Sequence, residues 1–117
     1  DTAAGAIARL DAALARHGED VTLQRKTAGS VVQTATVRAM LRGYAPQELV
    51  NGIMQQDAKL ILSPTGLSAW DPDGPQPGVP SNEDGIVTAG RPPRAIMAVT
   101  AIRIGTTVVR IECAVRG

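Results

Sequence analysis

The sequence contains no phenylalanine, one tryptophan (Trp70) and one tyrosine (Tyr44). Recognition of unpaired bases by stacking needs several rings on one face, so that mode is excluded. One cysteine, Cys113, and one histidine, His17, exclude a Cys/His zinc site within a single chain, and also an intrachain disulfide. Net charge is almost absent: twelve Lys and Arg against eleven Asp and Glu leave +1. The bulk composition therefore fits neither a DNA-wrapping protein nor an acidic DNA mimic. Long apolar runs are missing too. The uncharged stretch Leu60–Trp70 is broken by Pro64 and Gly66, far short of the ~20 apolar residues a membrane span needs. No basic segment leads into an apolar one as in a secretory leader, so cytoplasmic synthesis without a membrane partner is expected.

What is present is 117 residues, 44% of them hydrophobic, enough for one domain with an aliphatic core. Residues 2–17 read as a helix. Ala is abundant, Ile7, Leu10 and Leu14 form one narrow stripe, and Thr2 can cap the start. Arg16 and His17 suit the C-terminal dipole, and Gly18 stands where a left-handed residue commonly ends a helix. A stripe this thin needs a larger body to pack on.

From Val21 the period changes from 3.6 to 2. Val21–Thr27 and Val31–Tyr44 alternate around the turn Ala28-Gly29-Ser30, which predicts a β-hairpin. In its second arm Val31, Gln33, Ala35, Val37, Ala39 and Leu41 share a face, opposite Val32, Thr34, Thr36, Arg38, Met40, Arg42 and Tyr44. Further strands are expected at Ala58–Ser63, Ile86–Ala89, Arg94–Ile104 and Thr106–Arg116. In the last of these Val109, Ile111, Cys113 and Val115 face inward. Ser63-Pro64 predicts a single helical turn over Thr65–Ala69. Two long loops remain, 45–57 and 71–85. The expected fold is mainly β: one N-terminal helix and a small six-stranded antiparallel barrel or sandwich spanning residues 21–117, in a single domain.

Charge is segregated along the chain. Residues 21–42 and 91–117 are basic, whereas residues 60–90 carry Asp71, Asp73, Glu83 and Asp84 and no base. Complementary patches suit assembly of like with like; an ordinary mixed surface accounts for them equally. His17 with Asp20 and Ser30 is not a credible triad, because Ser30 lacks a nucleophile elbow. Cys113 reads as a buried structural thiol. Asp71-Pro72-Asp73-Gly74 has its glycine at the wrong offset for a calcium loop. Phosphate-cradling glycine motifs are absent. No enzyme activity, metal or cofactor is expected. Trp70, just before the proline-rich loop, reads as an anchor for it, with an interface contact as the sharper alternative.

The order of segments also carries a resemblance. After the helix come Glu19-Asp20-Val21-Thr22-Leu23-Gln24-Arg25 and a long strand ending Arg42-Gly43-Tyr44. Then follow Pro46-Gln47-Glu48-Leu49-Val50-Asn51-Gly52-Ile53, Gln56-Asp57, Leu60-Ile61-Leu62-Ser63 and a proline-rich loop. The end is Val108-Val109-Arg110-Ile111-Glu112 and Val115-Arg116-Gly117. From about Leu10 onward this resembles the head-closure proteins of long-tailed bacteriophages and gene transfer agents, also called head-completion, stopper or head–tail joining proteins. The resemblance implies a virion protein assembled in the host bacterial cytoplasm. It implies a hexameric or dodecameric ring of β-barrel subunits between the portal with its adaptor and the tail. Such a ring contacts the tail terminator or tail tube protein and retains genomic DNA without sequence specificity. In that family the loop between the second and third strands can enter the channel. Here that loop is 45–57, with Glu48, Asn51, Gln55 and Gln56 as polar contributors and no Lys or Arg. Its Leu49, Val50, Ile53 and Met54 are explained equally by packing over the subunit's own barrel. The acidic loop, with Trp70, Asp71, Asp73, Glu83 and Asp84, is the expected docking element. A tail or baseplate ring protein of the same barrel type, or a small nucleic-acid-binding barrel, are the alternatives.

Overall fold

The computed structural model describes residues 2–43, 57–70 and 78–116. One helix, α1 (Ala3–His17), precedes six strands: β1 (Glu19–Thr27), β2 (Ser30–Gly43), β3 (Ala58–Leu62), β4 (Gly85–Thr88), β5 (Arg94–Ile104) and β6 (Thr107–Val115). All neighbouring strands are antiparallel, and the order β1-β2-β3-β6-β5-β4 returns to β1 as a closed barrel. Closure gives every strand a neighbour on both sides, although β2 before Ala39 and β5 after Ala95 are paired along one side only. Of the barrel and the sandwich that the alternation allows, the barrel forms.

The strand residues face as their period predicts except where the register shifts; Val31, expected on the inner face of β2, lies beyond a shift between Arg25 and Lys26 and is exposed. Val21 and Leu23 of β1, and Ile111, Cys113 and Val115 of β6, fill the interior with Leu60, Leu62, Ile86 and Ile96. Val109, expected inward, instead stands at a register shift against β5 and lines the groove beside α1, while Val108 packs against the core. In β5 the pairing with β6 shifts between Ile96 and Ala98. The bulge reverses the parity of the strand, so Ile96 and then Val99 and Ala101 turn toward the core, while Met97 is exposed.

The β1–β2 hairpin turns at Ala28 (φ 52°) and Gly29 (φ 82°), two consecutive left-handed residues that match the twist of the arms. The stretch after β3 departs from the expected helical turn. Leu67 N–H donates to Pro64 O and Trp70 N–H to Leu67 O, giving two successive turns. Gly66, the third residue of the first turn, is at φ +85°, outside the right-handed helical region, which prevents a continuous helical turn.

Helix α1 packs outside the barrel against β6 and β2. Thr2 caps it as expected, its hydroxyl accepting from Gly5 N–H at 3.0 Å. Gly18 does not adopt the expected left-handed conformation: φ is −88° and ψ −175°. Glycine is required there by close approach. An added Cβ would sit 2.6 Å from Leu14 O and 2.7 Å from Ala39 O.

Candidate interaction surfaces

The two ends of the barrel differ in chemistry. At one end β3 runs into residues 63–70, whose Leu67 and Trp70 insert into the core. Trp70 Nε1–H donates to Asp84 Oδ2 at 3.4 Å, and Ser81 N–H donates to the same oxygen at 2.9 Å. Asp84 O accepts from Ile96 N–H at 3.1 Å. Gly78 N–H donates to Trp70 O at 2.8 Å, so the residues on either side of 71–77 meet directly. Gln33 Nε2–H fastens the same turn to β2 through Ala69 O.

These contacts revise the docking element. Trp70 and Asp84 are 1% and 6% exposed and spend their polar atoms on each other and on the backbone, so neither side chain faces a partner. Trp70 takes the anchoring role. Glu83 is exposed; Asp71 and Asp73 lie outside the described residues, as do Glu48, Asn51, Gln55 and Gln56.

The opposite end, where β2 leaves and β3 enters, is basic. A cleft of about 370 Å³ is lined by Glu19, Arg42, Thr88, Arg91 and Arg94 together with Gly43 and Ala58. Arg116 borders the adjoining cleft with Arg91 and Arg94, and its Nε lies 3.6 Å from Asp57 Oδ1. Asp57, expected at the polar end of loop 45–57, is in fact buried against Arg116, a partner from the far end of the chain that no local pattern could supply. On the outside of the barrel Glu112 bridges Lys59 Nζ (3.3 Å) and Arg110 Nε (2.7 Å).

A third surface is apolar. Val31 and Val32 at the tip of the β1–β2 hairpin are 47% and 53% exposed. Ile102 lines a shallow groove with Leu10, Ala13 and Val109 between α1 and the sheet.

The residues considered for catalysis are not brought together. His17 is exposed at the end of α1, and the Asp20 carboxylate lies 3.5 Å from Arg38. Cys113 is buried, and burial pushes its thiol up to about 12, with the nearby Asp84 and Glu112 carboxylates adding to the shift. A thiol held protonated is a poor nucleophile. Among the described residues no three His, Cys, Asp or Glu side chains converge to hold a metal ion. No family model, curated protein or solved structure matches this chain.

Proposed function

We propose that this chain is a structural subunit of the head–tail connector of a long-tailed bacteriophage or gene transfer agent. It assembles as a hexameric or dodecameric ring below the portal and adaptor, closes the DNA-filled head and offers a surface to the tail terminator or tail tube protein. The observation that carries this reading is the arrangement of elements around the barrel. A helix and six antiparallel strands close into a body whose two long connections depart from opposite ends: 44–56 from the basic end, the acidic proline-rich one from the other. The order of segments, which resembles head-closure proteins, supports the same reading.

In this reading the segment carrying Glu48, Asn51, Gln55 and Gln56 lines the channel. Without Lys or Arg it offers no cation to hold phosphate by counterion release. Gln55→Lys with Gln56→Lys then slows genome ejection from assembled particles, and an unchanged ejection rate removes the channel role. The reading as a whole is tested by negative-stain imaging of the chain mixed with a portal–adaptor complex. The expected result is an added ring on the adaptor. Failure to associate, together with tight salt-dependent binding of duplex DNA by the isolated chain, overturns it in favour of a nucleic-acid-binding barrel.

A further inference from the structure

We propose that the cleft between Arg42, Arg91 and Arg94 is an oxyanion site that accepts the carboxylates of an acidic peptide segment from another protein subunit. Three observations converge on it. The side chains come from three separate places, the end of β2, the β4–β5 turn and the start of β5, and are brought to one cleft only by barrel closure. Among the described residues Arg91 and Arg94 meet no carboxylate within ion-pair distance, whereas Arg38, Arg110, Arg116 and Lys59 all do. Thr88, which also lines the cleft, is 6% exposed, and its hydroxyl has no hydrogen-bond partner among the described residues. A buried hydroxyl left unpaired is costly, and an oxygen seated among the guanidiniums is the acceptor it lacks.

The arrangement favours a carboxylate over a nucleic-acid backbone. Binding a backbone calls for cations spaced along a track, so that successive phosphates are neutralised. Here the cations converge on one cleft, and Glu19 stands on its wall. A fixed carboxylate repels a continuous polyanion, but Arg91 and Arg94 against it still leave net positive charge for one side-chain carboxylate. The planar fork of Arg pairs with such a group through two parallel hydrogen bonds. The proposal does not depend on the head–tail reading.

The test is fluorescence anisotropy of the full chain with a dye-labelled peptide carrying Asp-Pro-Asp, the sequence of residues 71–73. Saturable binding at low salt is expected. Arg91→Gln with Arg94→Gln should weaken it at least tenfold with the melting temperature unchanged, and Thr88→Val severalfold with the melting temperature of the free chain raised, since the unpaired hydroxyl is gone. Arg103→Gln, at the far end of β5, should leave it intact, and an Asn-Pro-Asn peptide should not bind. Equal affinity for the wild type and the Arg91/Arg94 variant overturns the proposal. So does cleft-dependent binding of inorganic phosphate or duplex DNA in preference to the peptide, which assigns the site to phosphate. Failure of peptide binding leaves association with the portal–adaptor complex unaffected as a separate measurement, so the two proposals fail independently.

Discussion

A methyl group added to Gly18 meets two backbone carbonyl oxygens, from the last turn of α1 and from β2, both under 3 Å. Neither can swing away as a side chain would, so the helix must lift from the strand. Gly18→Ala is expected to destabilise the fold by about 1–3 kcal/mol, the usual range for overpacking, read as a lower urea midpoint. Cys113 makes a different kind of residue-scale statement. Its thiol titrates at about 12 in the fold against 9.0 unperturbed, so the native state keeps its proton to higher pH. The corresponding stability is complete below pH 9 and is lost as pH rises toward 12, on the order of 1 kcal/mol per pH unit. Denaturation midpoints measured from pH 8 to pH 11 should fall in the wild type and fall less in Cys113→Ala, compared with each protein's own value at pH 8. The same burial predicts no labelling by iodoacetamide at pH 8 until the chain unfolds.

At the scale of the element, α1 depends on β2 for its C-terminus. The Arg38 guanidinium donates to Gly18 O at 2.7 Å and to Leu14 O and Ala15 O at 3.3 Å, adding donors at the end of a helix whose own cap N–H, from Gly18, reaches Leu14 O alone. Arg16 and His17, the cations expected at that end, are exposed. A second tie comes from Thr65 Oγ1–H, which donates to Asp11 Oδ2 at 2.7 Å and links the helix to the turn after β3. Arg38→Met keeps the aliphatic stem and removes the donors. It should cost about 1–2 kcal/mol, the range of a lost cap, and speed amide hydrogen exchange in the last turn of α1 with little change in β6. Equal protection in variant and wild type would show that the dipole contacts of Arg16 and His17 suffice.

For the whole molecule, one core serves both the barrel and its closed end. Trp70 and Leu67 belong to the same buried cluster as Leu23, Ile86 and Ile111. The end therefore should not open without the strands. Because Trp70 is the sole tryptophan, its fluorescence reports that end alone, while far-ultraviolet circular dichroism reports the strands. The two unfolding transitions should coincide, as two-state behaviour requires. An earlier fluorescence transition would show that residues 63–70 detach first.

Residues whose structure follows from their near neighbours were legible in the sequence. The helix, the six strands, the inward face of β6 from Ile111 to Val115 and the Thr2 cap all rest on period, propensity and local hydrogen bonding. The bulge in β5 was not, since its extra residue is set by pairing with β6 and changes no local composition. Nor were the sites. The arginines of the basic cleft, the Asp57–Arg116 pair and the Arg38 cap join residues distant in sequence, and Asp84 reads the same on paper whether solvated or bound to Trp70. Local periodicity determines which residues prefer to face inward. Tertiary pairing decides which polar residues meet: β3 beside β6 brings Asp57 to Arg116, α1 on β2 brings Arg38 to the helix end, and β4 on β1 brings Arg91 and Arg94 to Arg42.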